Sequence, residues 1–578
     1  MKQFALLVLF LAAHSIPAFA RQDTVLPDLA PREVEITGDL TIAFPTLRRQ
    51  PIVGFNPPPR VPDIDSNRRP FTEAYGQASA DLPPSPLQAP EPPSVSAIER
   101  RLPATGLLDI RLGAHLDRSA DADIALLETP TTTALFDFSY FGTDGHDVVT
   151  AGNNLDSGRD LLSGALSIEQ RAGPLVLGLG VDGFRNQYTL FGAEPSLASP
   201  AQIDPERTFS GLEGNISLKN RPGSRIRLSL ETVAGQSHAK TGLYDPDVRI
   251  DPATERDESY LKLTSSAVIP IRDGTVRIEA RGTSSGLDAS GFPGSTIKLG
   301  MTGGYLTWLY SSKMEIRAGA YFMGFDSDSQ TGTDPARSLT WVAPLARIDY
   351  LLSRSITVTA GTAPSIGEAL QRDAIQTSPY LMDEPRLLPT LTSIDASVGI
   401  IVQSDFVSAS VKAGWRDQPF RRYSFQPASP NRGYSRGYPA LAYDDARVMY
   451  SLVDLSVIPF RGLQVGLDAL VQQTQLDAAD VKAPYVSPIS LGGFVALSLL
   501  DGDLESRVDF VHETARSSDV TESNDISAIT RVDLMVSWFF HPNYGMTTGV
   551  RSLGSTQEFW SGYPLESNAF FLGFRYRW

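Results

Sequence analysis

The sequence predicts an all-β protein, a transmembrane antiparallel β-barrel of 20–22 strands behind a proline-rich N-terminal segment. Three observations predict it. From about residue 106 onward, apolar and polar residues alternate with period two. Tight turns recur at a steady interval through the same region. Between successive tight turns lie longer polar loops, so that short and long connections alternate.

The N-terminus reads as an export signal. MKQFALLVLFLAAHSIPAFA has Lys2, an apolar run from Phe4 to Ala13 and then Ala18-Phe19-Ala20. That is a basic start, an apolar core too short to span a bilayer, and a small-residue cleavage site. Residues 1–20 are therefore expected to be a signal peptide cut after Ala20. No later stretch approaches the roughly 18 continuous apolar residues of a membrane helix.

Residues 21–104 form a separate segment. Between Pro51 and Arg100 about a dozen residues are proline, including Pro57-Pro58-Pro59 and Pro83-Pro84. This density disfavours helix and central strand and suggests extended polyproline stretches. Within it, EVEITGDLTIAF places Val34, Ile36, Leu40, Ile42 and Phe44 on one parity, the pattern of an edge strand or short strand pair. The segment is expected to lie in the periplasm, as a partial plug or as a partner-binding arm.

The barrel is expected over 105–578. In LVLGLGVDG, Leu175, Leu177, Leu179 and Val181 oppose Gly178, Gly180 and Asp182. In LQVGLDALVQQ, Leu463, Val465, Leu467, Ala469 and Val471 oppose Gln464, Gly466, Asp468 and Gln472. TRVDLMVSWFF sets Thr530, Val532, Leu534, Val536, Trp538 and Phe540 against Arg531, Asp533 and Ser537. Successive strand side chains point to opposite faces, so each segment has one apolar and one polar face.

A β-sandwich also alternates. Against it stand strands read as about 10–14 residues, beyond the usual five or six, a polar face rich in Gly, Arg, Asp and Gln, aromatic residues near strand ends, and above all the turn rhythm. Nine tight connections recur: Gly173-Pro174, Pro222-Gly223, Asp273-Gly274, Ser311-Ser312, Ser353-Arg354, Ser404-Asp405, Arg461-Gly462, Gly502-Asp503 and Pro542-Asn543. Longer loops are read at 187–207, 237–257, 364–390 and 417–445. Nine hairpins supply 18 strands, the closing strand 568–578 adds one, and the region before 159 adds one or three. With both barrel ends periplasmic the total is even, and 22 is preferred over 20.

The ending FFLGFRYRW fits this reading. Phe570, Leu572, Phe574, Tyr576 and Trp578 face lipid, while Arg575 and Arg577 face a polar lumen together with residues such as Arg531 and Asp533. In lipid only a closed barrel satisfies the backbone of β structure. Gly573, Tyr576 and Trp578 resemble the C-terminal insertion signal of bacterial outer-membrane proteins, although Phe571 stands where that signal has a polar residue. The resemblance implies recognition by the barrel-insertion machinery and location in the bacterial outer membrane, with its lipid as the surrounding partner.

A barrel of this size with long outer loops resembles the TonB-dependent receptor family, whose 22-stranded barrels surround a plug. Asp23-Thr24-Val25 resembles the start of a TonB box. The resemblance implies solute uptake with TonB, or another periplasmic protein, engaging residues 21–104. The chain departs from the family in one respect, because the residues before the barrel are too few and too proline-rich for a complete plug. A porin-like passage, or a plug-less assembly or secretion barrel filled by a partner, stays open beside receptor-mediated uptake.

A wide lumen needs an obstruction: residues 21–104, an infolded loop or a partner. Among the loops the expected candidate is 415–450, which concentrates Arg416, Arg421, Arg422, Arg432, Arg436 and Arg447 among Tyr423, Phe425, Tyr434, Tyr438 and Tyr443. Guanidinium groups among aromatic rings suit carboxylates, phosphates or sugar rings. The alternative is a latch onto wall carboxylates such as Asp444 and Asp445.

Other function classes lack support. The formal net charge of −16 disfavours nucleic acid. The absence of cysteine removes disulfides, thiolate metal sites and Cys nucleophiles. The five histidines beyond the leader, His115, His146, His238, His512 and His541, show no metal-ligand spacing. No cofactor, metal or catalytic set is expected, and the protein is read as a non-enzyme.

Overall fold

The structure is a computed structural model that describes residues 106–578, apart from short stretches of which 114–116, 191–193, 196–205, 221–223, 243–252, 330–336, 382–386 and 426–433 are the longest. The leader, the proline-rich segment and Asp23-Thr24-Val25 lie outside the described residues. Within them the chain forms a closed antiparallel barrel of 22 strands. The first strand, Gly106–Gly113, pairs with the second, Arg118–Glu128, and also with the last, Ala569–Arg577. Its register with the last runs from Leu107 opposite Arg577 to Gly113 opposite Phe571. Closure leaves no sheet edge, as a bilayer requires.

Ten connections lie on one rim with both barrel ends. Eight are tight turns read from the sequence; a ninth, between Glu206–Asn220 and Arg227–Gly242, holds Pro222-Gly223, which lie outside the described residues; the tenth joins Arg118–Glu128 to Thr132–Thr143, where Thr129 Oγ1 accepts from the Thr131 and Thr132 amides. Three strands therefore precede residue 159, which fixes the count at 22. Strand lengths spread more widely than the alternation suggested, from Ile356–Thr362 with 7 residues to Ala440–Phe460 with 21. The described residues of 237–257 are strand, in Arg227–Gly242 and Ala253–Ile271.

The outer face is apolar where the alternation placed it. Leu175, Leu177, Leu179 and Val181 are exposed, as are Leu467, Val471, Leu534 and Trp538. Phe570, Leu572, Phe574 and Trp578 are exposed while Arg575 is buried, so the closing strand turns its greasy face outward. Near the turn rim, Trp308 and Tyr310 meet edge to face at 5.5 Å, Trp538 and Phe540 at 6.0 Å, and Tyr576 and Trp578 stack at 5.3 Å. These amphipathic rings form the aromatic girdle of a membrane barrel. The protein is an outer-membrane-type barrel.

In the longest strands the sense of the alternation reverses partway. Phe292–Ser311 turns Leu306, Trp308 and Tyr310 outward near the turn rim, yet toward the loop rim it turns Thr296 and Lys298 outward and Ile297, Leu299 and Met301 inward. Its neighbour Met314–Ser329 does the same, with Phe322 outward but Asp326 and Asp328 outward beyond it and Phe325 buried inside. A membrane strand needs only about 9–11 residues. The reversal marks where the wall leaves lipid for water. The inner wall of this sector is apolar, where the alternation alone suggested a polar lumen throughout.

Candidate functional site

What covers that apolar inner wall is the connection between Ile356–Thr362 and the fourteenth strand, Ile394–Gln403. Its base is a two-residue ladder, with Ser365 and Ile366 opposite Thr392 and Leu391, and the Gly367 amide donates to the Thr390 carbonyl at 2.7 Å. Beyond the ladder a short helix of about two turns, Gln371–Thr377, lies inside the barrel. Ala369, Ala374, Leu381, Leu387, Leu388 and Leu391 pack on Ile297, Leu299 and Phe325 of the wall. Ile375 packs on Phe209 and Ala239 from another sector. Each fully buried Leu contributes roughly 1.5–3 kcal/mol relative to exposure, so the loop is anchored by packing first.

Polar contacts fix its orientation. Arg372 Nη1 donates to Asp182 Oδ2 at 3.3 Å and Glu213 Oε2 at 3.4 Å, and the guanidinium lies 5.0 Å from the Phe184 ring centre. The Gln371 amide donates to Glu258 Oε2 at 2.9 Å. Lys262 pairs with Glu368 at 2.6 Å. The Pro379 carbonyl accepts from Tyr188 Oη and Arg207 Nη1, both at 2.7 Å. Tyr380 stacks on Tyr563 of the last outer loop at 3.4 Å, and burial raises the Tyr380 phenol above its ordinary range. Burial, with Glu368 nearby, likewise raises the Asp373 carboxyl.

The infolded loop thus has a dry side on the apolar wall and a wet side. Between the wet side and the opposite wall lies a cavity of about 830 Å³. Ser365, Glu368, Asp373, Thr377, Thr390 and Thr392 line it from the loop; Arg421, Arg422, Tyr423, Asp468, Arg507, Asp509, Arg531 and Asp533 line it from the barrel. Tyr485 and Trp560 contribute from the outer loops, where Arg516 and Glu513 form a buried ion pair at 2.8 Å and Arg516 Nη2 donates to the Phe559 carbonyl. Among the described residues no cluster of three or more His, Cys, Asp or Glu is placed to hold a metal ion.

The residues singled out in 415–450 are divided by this geometry. Arg416, Arg421, Arg422 and Tyr423 sit on strand Val407–Phe425, not on a loop, because the strand pairs with Ala440–Phe460 across a bulge between Gln418 and Arg421. Phe420 takes φ 65° there. Arg416 is buried against Asp395 at 3.1 Å and lies 4.5 Å from the Tyr450 ring centre. Arg421, Arg422 and Tyr423 reach the cavity. Tyr434 and Arg436 lie on a short strand pairing with Glu194–Pro195, whereas Arg432 and Tyr438 lie outside the described residues. The loop that enters the lumen is 363–393. It was read as a long polar loop; the signal that separates it is its run of leucines, Leu370, Leu381, Leu387, Leu388 and Leu391, in a connection exposed to water if not infolded.

At the turn rim the residues of the ending are also placed. Arg575 pairs with Asp109 at 3.2 Å and Glu505 at 3.8 Å, and Arg577 with Asp503 at 3.0 Å. Asp109 also holds Arg111 at 3.0 Å. Gly573 admits the Arg111 side chain, since a Cβ there would lie 2.7 Å from Arg111 Cγ. Tyr576 and Trp578 complete the girdle. His238 pairs with Asp257 at 2.7 Å, and His512 meets Thr530 at 2.8 Å; neither reaches the cavity.

No protein-family model matches the chain, and no curated protein matches its sequence. Solved structures match the fold. The FrpB iron transporter from Neisseria meningitidis superposes with a TM-score of 0.64 at 10% identity, covering 82% of each chain. The copper transporter OprC gives 0.62 at 13% identity, covering 82% of this chain and 80% of its own. The ferric-catecholate import receptor Fiu from K12 E. coli gives 0.62 at 12% identity, covering 82% of each chain. These likenesses are of TonB-dependent receptor barrels and establish the architecture.

Proposed function

We propose that this barrel, which has the fold of TonB-dependent receptors, carries a solute across the bacterial outer membrane by a receptor-like route. Capture takes place in the outer half of the lumen, and passage follows the polar wall. The observation that carries the reading is the cavity of about 830 Å³ left between the infolded loop and the barrel wall. A protein that needed only a sealed scaffold would pack that space, since interiors are close-packed. Its size falls within the range of about 300–1,000 Å³ common to small-molecule sites. The neighbours' names, as iron and copper transporters and import receptors, favour transport over secretion or assembly. Their ligands are not carried over, because the wall residues differ with sequence. Residues 21–104 serve as a partial plug in this reading and offer Asp23-Thr24-Val25 to TonB.

Planar-bilayer conductance tests it on three forms: the full chain, one lacking residues 21–104, and one with 368–388 replaced by a short Gly-Ser turn. Passage is supported if the full chain is closed and either deletion opens it. If only the N-terminal deletion conducts, residues 21–104 are the plug; if only the loop replacement does, the infolded loop is the constriction. If no form conducts, the alternative gains, a barrel of an assembly or secretion system whose lumen a partner fills.

A further inference from the structure

We infer that the solute accepted by this cavity is neutral and rich in hydroxyl groups, a saccharide, bound on the wall formed by Asp468, Phe494, Arg507, Asp509, Arg531 and Asp533; this rests on the passage reading above. Register places all of these residues except Arg507 in two lateral rows on the lumen face, and Arg507 lies one inward position from Asp509 on the same strand. Gly466, Phe494, Asp509 and Asp533 are successive partners across four strands. Asp468, Gly492, Val511 and Arg531 form the adjoining row.

The two glycines shape the surface. A Cβ at Gly466 would lie 2.2 Å from the Phe494 ring, and one at Gly492 would lie 2.5 Å from an Asp468 carboxylate oxygen. Without those Cβ atoms, ring and carboxylate lie down over the neighbouring backbone. Arg507 then rests 4.2 Å from the Phe494 ring centre and is fixed by Asp509, its Nε donating at 2.9 Å to both carboxylate oxygens. Arg531 is held by Asp533 at 3.4 Å. The wall is therefore preset before any ligand arrives.

Charge and hydrogen-bond capacity together select the ligand class. Each of these guanidiniums is matched by a carboxylate two residues along its own strand, and Asp468 shares the cavity lining with Arg421 and Arg422. Local compensation leaves little net field to favour an anion or a cation. Capacity remains nonetheless, because a guanidinium has five N–H donors and a carboxylate about four lone-pair sites, more than the pairs use. Donor and acceptor thus lie side by side. A hydroxyl is both donor and acceptor, so a run of neighbouring hydroxyls satisfies both at once. An apolar solute would desolvate these groups at about 1–3 kcal/mol each without replacing their bonds. Thr377, Thr390 and Thr392 line the same space, and Tyr423 offers a ring to the C–H face of a sugar.

The test uses the full chain in detergent, read by intrinsic tryptophan fluorescence, with maltohexaose, cellohexaose and iron(III) citrate as probes. Saturable responses are expected with at least one hexasaccharide and none with iron(III) citrate. Asp468→Asn and Arg507→Gln should each weaken that binding about tenfold, the loss of one charge-assisted hydrogen bond. Both variants must keep the slower or faster gel migration of the unboiled barrel, which shows that they fold. Binding of iron(III) citrate alone, no response to either sugar, or unchanged sugar affinity in both folded variants would overturn the saccharide assignment. Such a result with a conducting deletion form leaves the passage reading standing, whereas closed forms throughout overturn the passage reading itself.

Discussion

At the scale of single residues, Arg372 is the pivot of the infolded loop. It joins the loop to Asp182 and Glu213 on two adjacent strands while lying on Phe184. Arg372→Ala removes both pairs and leaves the two carboxylates facing each other. The docked loop should lose about 2 kcal/mol, read as roughly thirtyfold faster protease cleavage within 363–393; an unchanged rate would show that leucine packing alone holds the loop. Asp373 gives that docking a pH dependence. Burial and Glu368 raise its carboxyl, against the opposing effects of Lys262, Arg422 and Arg372. The docked state therefore binds more protons than the released state. Its stability is full below the ordinary carboxylate range and declines as pH rises through the raised value. Protease susceptibility of the loop should increase over that interval, and Asp373→Asn should flatten the profile.

At the scale of elements, the seam between first and last strands is held by more than its ladder. Asp109 lies between Arg111 and Arg575, at 3.0 and 3.2 Å, all three nearly buried. A buried ion pair contributes little net stability, but removing one partner strands the other. Asp109→Ala leaves Arg111 and Arg575 only their longer contacts, to Asp121 at 3.7 Å and Glu505 at 3.8 Å, and should cost about 3 kcal/mol. The boiling temperature needed to shift gel migration should fall; no change would mean that the backbone register of Leu107–Gly113 suffices. The longest strands show a second element-scale effect. Outward Lys298, Asp326 and Asp328 beside inward Ile297, Leu299 and Phe325 make their outer ends behave as soluble sheet around a core.

For the whole molecule, closure joins residues at opposite ends of the barrel sequence, so assembly depends on the last strand finding the first. Tyr576→Ala with Trp578→Ala removes two girdle rings from that strand. Accumulation in the periplasm and degradation is expected, measured by cell fractionation; normal insertion would remove the assigned role of Gly573, Tyr576 and Trp578. Much of this architecture was readable in advance, because period-two alternation reports directly on a wall with lipid outside and polar groups inside. Leu175 to Val181 and Thr530 to Phe540 turn as their pattern requires. The tenth turn, Thr129–Thr131, escaped because it has neither Gly nor a Pro-Gly signal and is closed by a threonine hydroxyl.

What the sequence by itself determined is the barrel, its lipid and lumen faces and a strand number of 20 or 22, since these follow from local rules: side-chain parity, turn chemistry and the length a bilayer demands; the structure settled 22. The tertiary structure alone decided what occupies the lumen. Arg416 and Arg421 looked like loop residues because polar and aromatic side chains cluster around them, yet their strand continues above the membrane. Leu381, Leu387 and Leu388 gave no periodic signal, because the loop that carries them is folded by the shape of the wall it covers. Parity can say which way a strand residue points, but only the closed barrel says what stands opposite it.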